Sequence, residues 1–418
     1  MPQRRFLPPM VIIGFLFFVF GFISWLNAIL IPYFKLSLEL SLNEAMMVTF
    51  AFYISYFIMA LPSSRILEKT GLKKGMVLGL FIMAVGALLF IPAAQYRSYA
   101  LFLTGLFVQA TGLTLLQTAS NPYVTILGPI ESAARRMSIM GVCNKVAGAV
   151  APLILLNSVT KSPEEIDEVK ALLPGLLPQQ TEAILQELVL RLRTPYGIIA
   201  VILILLALVI YFSKLPDIKN QDKVGKTDGS LFNYPHLLLG TIAIFCGVSV
   251  EVLAVDSVIS YAEYQGYPFL NAKYFATYTL VAMIAGYIIG IIMIPIYLSQ
   301  RKALIYCACI GIILSFGILM IPGKLSVWNV VLLGFCNALL WPSIWPLALK
   351  DLGTYTERGS AFLIMGVVGG ALTPILFSTI AGKFNIQWAY MVMLPLYLFL
   401  LYYGYSGYSA VRRKFNMV

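Results

Sequence analysis

The chain has 418 residues, 60% of them hydrophobic and only 11% charged, with a mean hydropathy of +0.87. A soluble domain is about half apolar and about a quarter charged, so this chain cannot wet the surface of a globule of its size, which excludes a cytosolic enzyme, a disordered protein and a secreted disulfide scaffold. Its net charge of +11 comes from basic residues at the ends of apolar runs, and no basic tract interleaved with aromatics exists, which excludes nucleic acid as a partner.

Runs of about 20 apolar residues span a bilayer. Twelve are predicted, at 10–34, 45–66, 75–94, 99–127, 136–159 and 194–213, then at 235–262, 272–299, 303–322, 325–349, 358–381 and 386–410. The fold class expected is an all-α polytopic membrane protein of twelve helices in two pseudo-symmetric six-helix bundles. Residues 1–213 form the first bundle, 214–234 a cytoplasmic linker and 235–418 the second bundle. Met1–Met10 lacks the small-residue cleavage site of a signal peptide, so the first helix is expected to be retained.

The first helix carries Gly14, Gly21 and the amide Asn27. The fourth carries Gln109 and then Thr114, Gln117, Asn121 and Thr125, a polar stripe at spacings of 3, 4 and 4 on one helical face. Amides offer paired donors and acceptors that suit vicinal hydroxyls, although polar stripes also join helices in membranes. The fifth helix places Asn144 beside Lys145, the one basic residue outside the loops and helix ends. An ionisable group in hydrocarbon needs a partner or a cavity. Polar residues 160–194 then interrupt the pattern. Ser162-Pro163-Glu164-Glu165 has the order of an N-cap, a proline at N1 and a capping-box acid. A second helix over 179–192 repeats Ile184, Leu185, Leu188 and Leu192 at helical spacing, which suits a connector or a helix lying on the membrane surface.

In the second half, His236 stands at the start of the seventh helix as a plain loop histidine, and Glu251 and Asp256 lie within that helix. Five residues place the two acids about 140° apart, so one is expected to face a cavity and the other a neighbouring helix. Lys145 is expected to pair with one of them. The tenth helix brings Asn337, Trp341 and Trp345; the two indoles share a face and make an aromatic platform, with Trp341 the expected ligand contact and Trp345 an alternative interfacial anchor. The five cysteines lie in apolar stretches as small buried hydrophobes.

With the N-terminus inside, 19 of the 29 Lys and Arg fall on the cytoplasmic side and nine on the outer side, which puts both termini in the cytoplasm of a multi-pass cell-membrane protein (the inner membrane of a Gram-negative source). Features also recur between halves. Gly14 and Gly21 return as Gly240 and Gly247 at an offset of 226, Ile139-Met140-Gly141 returns as Ile364-Met365-Gly366 at 225, and Leu127-Gly128 returns as Leu352-Gly353 at 225. Three agreeing offsets in corresponding helices point to a parallel repeat around a central cavity.

The loop Ser64-Arg65-Ile66-Leu67-Glu68-Lys69-Thr70-Gly71-Leu72-Lys73-Lys74 resembles a degenerate loop 2–3 motif of the major facilitator superfamily. Gln117-Thr118-Ala119-Ser120-Asn121-Pro122-Tyr123, running on to Gly128-Pro129, resembles the signature of its fucose–galactose–glucose symporter family. Asn337 to Gly353 and Gly366 to Gly370 agree with it, so the resemblance covers both halves. It implies a secondary active carrier of a neutral sugar working by alternating access, with no cofactor and a monomeric state. Two family carboxylates are missing, replaced by Ala28 and Gln117. Sodium is therefore expected slightly ahead of a proton as coupling ion, with Glu251 and Asp256 as possible sodium ligands and Lys145, Glu251 and Asp256 as the coupling residues. Asn27, Gln109, Gln117, Asn121, Asn144, Asn337 and Trp341 are the expected substrate contacts, for a hexose such as glucose, galactose or mannose. The alternatives are a membrane enzyme acting on a lipid-linked substrate, which one histidine and no paired-acid motif disfavour, and a proton-coupled carrier of another small polar solute.

Overall fold

The computed structural model describes residues 9–126, 133–213, 234–350, 352 and 355–410. Among them, 12 helices are long and apolar enough to cross a membrane. The first six are α1 (Met10–Ser37), α2 (Leu42–Thr70), α3 (Leu72–Gln95), α4 (Tyr99–Asn121), α5 (Arg135–Val159) and α6 (Arg193–Phe212). The second six are α7 (Pro235–Asp256), α8 (Phe269–Met293), α9 (Gln300–Met320), α10 (Lys324–Leu349), α11 (Arg358–Lys383) and α12 (Ile386–Tyr405). Each of the twelve predicted segments overlaps one of them, with ends that differ by a few residues. Of the predicted linker, 214–234, all but Tyr234 lies outside the described residues.

Two faces can be told apart by what they carry. The chain enters α1 and leaves α12 on one, here the terminal face; residues 160–192 stand on the other, the hairpin face. Large apolar side chains point outward from the peripheral helices, such as Phe81 and Val85 of α3, Val201 and Leu205 of α6, Ile313 and Phe316 of α9 and Leu398 of α12. A membrane supplies the apolar surroundings that such a belt requires.

Packing follows the repeat. α1 lies along α5 in the first half as α7 lies along α11 in the second, and the halves meet where α5 packs on α8 and α2 packs on α11. Both seams map onto each other when the halves are exchanged. The repeated glycines do not take equivalent parts, however. A Cβ on Gly21 would lie 1.8 Å from the Asn144 carbonyl oxygen, so Gly21 lets α1 and α5 touch backbone to backbone. Its offset partner Gly247 faces Ile344 and Leu340 of α10, and the close approach of α7 to α11 is made instead by Gly369 against the Phe245 carbonyl. One small residue on either helix suffices for contact, so the position can wander while the pairing stays.

Several of the helices around the centre are broken. α10 turns at Ala338–Leu339, four residues before Pro342, whose ring clashes with the carbonyl at that spacing. α7 ends at Asp256, and after Ser257, whose hydroxyl back-bonds to the Leu253 carbonyl at 2.6 Å, the chain resumes as a helix over Val258–Tyr264. α11 tightens to a 3₁₀ turn over Gly366–Val368, inside its glycine-rich stretch. α1 turns at Trp25–Leu26.

The hairpin differs from expectation at its start. The first helix spans Glu165–Leu172 with Glu164 as its cap residue, so Ser162 does not cap it. Glu165 is drawn instead to Arg191, both of its oxygens lying 2.8 Å from one guanidinium nitrogen, and a charge-assisted pair outweighs a hydroxyl cap. The second helix spans Pro178–Arg191 and packs its apolar side on the protein, as a connector would. Leu185, Leu188 and Leu192 are buried against the first half, and the Tyr33 hydroxyl donates to the Leu188 carbonyl at 2.7 Å.

Candidate functional site

A cavity of about 120 Å³ lies between the halves, lined by eight of the twelve spans. It extends from mid-depth toward the terminal face, because its lining positions fall in the terminal-face halves of α4, α5 and α10. α1 contributes Phe17, Phe20, Ser24 and Trp25; α2, Tyr53 and Tyr56; α4, Gln117 and Asn121; α5, Asn144 and Lys145. From the second half come Glu251 of α7, Tyr287 of α8 and Trp341 of α10. Apolar and aromatic walls with a few fixed polar groups are the usual make-up of a small-molecule site.

At its centre the Lys145 ammonium meets the Glu251 carboxylate at 2.5 Å, with side chains only 6% and 13% exposed. The pair joins α5 to α7 and therefore one half to the other. The same ammonium lies 4.1 Å from the centroid of the Trp25 ring, a cation–π contact that needs no second acid. Trp25 is held in turn by its indole N–H, which donates to the Asn144 side-chain oxygen at 3.0 Å. A group binding at Asn144 or Trp25 thus sits one contact from the ion pair. On the opposite wall Gln117 donates to the Tyr56 hydroxyl at 3.1 Å. Trp341 stacks on Trp345 with centroids 5.1 Å apart and planes at 24°, and Trp345 is fully buried behind it, so it supports the platform and is not an interfacial anchor.

Gly148 keeps this arrangement in place. A Cβ there would come within 2.2 Å of the Trp25 ring, so Gly148→Ala must push the indole off Asn144 and Lys145. Losing a charge-linked contact of this kind costs on the order of 1.5 kcal/mol. We expect Gly148→Ala to lower transport at least about tenfold with protein still in the membrane, read by uptake alongside a shift in tryptophan emission. Unchanged uptake and emission would contradict the seating of Trp25.

Gln117, Asn121, Asn144, Lys145, Glu251 and Trp341 thus meet in one cavity. Four expected residues do not reach it. Asn27 and Gln109 are each 1% exposed within the first half, and neither lines the cavity. Asn337 spends its amide within the second half, donating to the Val250 carbonyl at 3.2 Å and accepting from the Tyr397 hydroxyl at 2.6 Å. Asp256 turns away from Glu251, as the 140° separation requires, and accepts from the Thr49 hydroxyl of α2 at 3.0 Å. Glu251 and Asp256 therefore do not converge on a shared sodium site. Thr114 bonds its own helix at Ala110, and the Thr125 side chain lies outside the described residues. His236 contacts the Lys350 carbonyl at 2.9 Å, tying α7 to the end of α10.

Sequence reasoning passed over Trp25, Tyr53, Tyr56 and Tyr287. The available signal was their depth: tyrosine and tryptophan prefer membrane interfaces, whereas these stand in mid-helix, and Tyr53 and Tyr56 share a face at a spacing of three.

Comparison with known proteins agrees with this geometry. A family model described as Major Facilitator Superfamily matches residues 13–368. A glucose/galactose transporter of Brucella abortus is 35% identical over 94% of this chain and 92% of its own length. An L-fucose-proton symporter of Escherichia coli is 32% identical over 90% of this chain and 87% of its own. The crystal structure of FucP, a transporter in the outward conformation, superposes with a TM-score of 0.75 at 30% identity, covering 95% of this chain and 97% of that one.

Proposed function

We propose, from the premise that the chain belongs to the major facilitator superfamily and is a transporter within it, that it imports a neutral hexose by alternating access of its two halves. The observation that carries this reading is the cavity between the halves, in which amides (Gln117, Asn121, Asn144) and an indole platform (Trp341 on Trp345) surround an ion pair that itself bridges the halves. Amides suit sugar hydroxyls, and an indole face suits the apolar face of a pyranose. The names of the relatives, glucose/galactose transporter and L-fucose-proton symporter, point to the same substrate class. No cofactor is needed beyond the coupling ion.

Two missing family carboxylates favoured sodium; the site geometry moves the preference to a proton. Glu251 has its charge met by an ammonium rather than by a shell of oxygens, and a hard cation wants six or more oxygen ligands. In this reading Lys145 and Glu251 clamp the halves while the site is empty of protons. Protonation of Glu251 removes the carboxylate charge and frees Lys145, and the halves can then rock. Asn144, next to Lys145 and bonded to Trp25, lets sugar occupancy be felt at the pair. The terminal face corresponds to the cytoplasm, by the excess of basic residues in the loops on that side. Residues 1–213 and 235–418 are the two moving bodies of a monomeric carrier.

The test is uptake of labelled glucose, galactose, mannose and fucose into proteoliposomes, under an imposed pH gradient or an imposed sodium gradient. Accumulation of a hexose with acid outside is expected. Accumulation driven by sodium alone would replace the proton with sodium, and no uptake under either gradient would overturn the sugar reading.

A further inference from the structure

The helix Glu165–Leu172 belongs to the first half by its mounting. Arg191 pins Glu165 and also donates to the Val159 carbonyl at 3.0 Å, Ile166 and Val169 are buried, and Gln186 of the companion helix reaches the carbonyls of Ala94 and Gln95 at 3.4 Å. Its outer side nevertheless makes its polar contacts with the second half. The Asp167 carboxylate accepts the backbone N–H of Phe269 at 3.1 Å and of Leu270 at 2.9 Å. Lys170 pairs with Glu263, and its ammonium stands 4.7 Å over the Phe269 ring. Lys273 of α8 returns a bond to the Pro163 carbonyl at 3.3 Å. All these contacts converge on the junction between α7 and α8.

A connection between two membrane helices needs only a few residues. This one has two helices, a rigid base on one half and a grip on the other. On the same face the halves are also joined along α2, by Thr49 to Asp256 of α7 and by Asn43 to Ser378 of α11 at 2.6 Å. The cavity lies on the opposite side of mid-depth. We propose that Glu165–Leu172 is a clasp that holds the hairpin face shut, so that this face opens only when Asp167 and Lys170 release the α7–α8 junction. The clasp weights the resting population toward the state closed on that face, and it sets how often the site is presented there. It rests on the transport reading only in requiring that the face open; its test uses no substrate, so either idea can fail without the other.

The test is a distance distribution between spin labels at Tyr96→Cys and Phe384→Cys, one in each half on the hairpin face and both above 70% exposed, with the five native cysteines replaced. The parent protein should give one short distance. Asp167→Ala should add a longer one, with the closed-to-open ratio falling at least about tenfold, since both lost hydrogen bonds run to a charged carboxylate. Lys170→Glu should act in the same direction, and the exchanged pair Lys170→Glu with Glu263→Lys should return the short distance. Distributions unchanged by Asp167→Ala and Lys170→Glu would overturn the clasp, and so would an exchanged pair that stays open.

Discussion

Lys145→Ala is expected to abolish gradient-driven accumulation while leaving sugar counterflow measurable. The substitution strands Glu251 in a site where its side chain is 13% exposed. Removing one partner of a buried pair costs about 3–5 kcal/mol, because the other charge is left uncompensated. With the ammonium gone, proton uptake and release at Glu251 no longer makes and breaks a contact between the halves. Trp25 loses its cation at the same time, which loosens the wall that carries Asn144. Glu251→Gln should lose accumulation as well and leave less protein in the membrane, since Lys145 is then buried without its acid. Combining the two substitutions should restore protein level without restoring accumulation. Retention of full accumulation and of its ion dependence by Lys145→Ala would remove the pair from the coupling scheme.

Trp341→Ala should raise the apparent KM for the hexose by about 30-fold. A buried aromatic anchor contributes on the order of 2 kcal/mol to binding, and each 1.4 kcal/mol is about tenfold in affinity. Trp341→Phe keeps an aromatic face on the Trp345 support and should lose much less. The measurement is counterflow over a range of sugar concentrations, which reports binding without the gradient. An unchanged KM in Trp341→Ala would move the sugar to the Trp25 wall.

The fold was legible because hydrocarbon leaves few options. Runs of the right length must be helices, and the spacing of Gly21 and of Gly366 to Gly370 marks where helices close up, though it did not say against which neighbour. The Lys145–Glu251 pair was half legible. A lone cation in the membrane must find an acid, and the helical angle between Glu251 and Asp256 meant that only one could face it; which one depends on the rotation of α7, which no local pattern sets. The amides were the least legible. Asn337 ties a backbone carbonyl and a tyrosine hydroxyl, while Asn144 faces the cavity, yet both look alike as polar residues in apolar helices. Trp25 and the tyrosines were hidden by abundance, since 13% of the chain is aromatic. The clasp was hidden because Asp167 and Lys170 look like any solvated charges until the loop they grip is seen.

The central claim is that one cavity binds a neutral hexose and carries a proton in with it, taken up and released at Glu251. The direct measurement is external pH, followed by electrode in lightly buffered proteoliposomes when galactose or glucose is added. Wild-type protein should give a sugar-dependent alkalinisation that Lys145→Ala and Glu251→Gln both lack. Sugar uptake with no accompanying pH change would contradict the account.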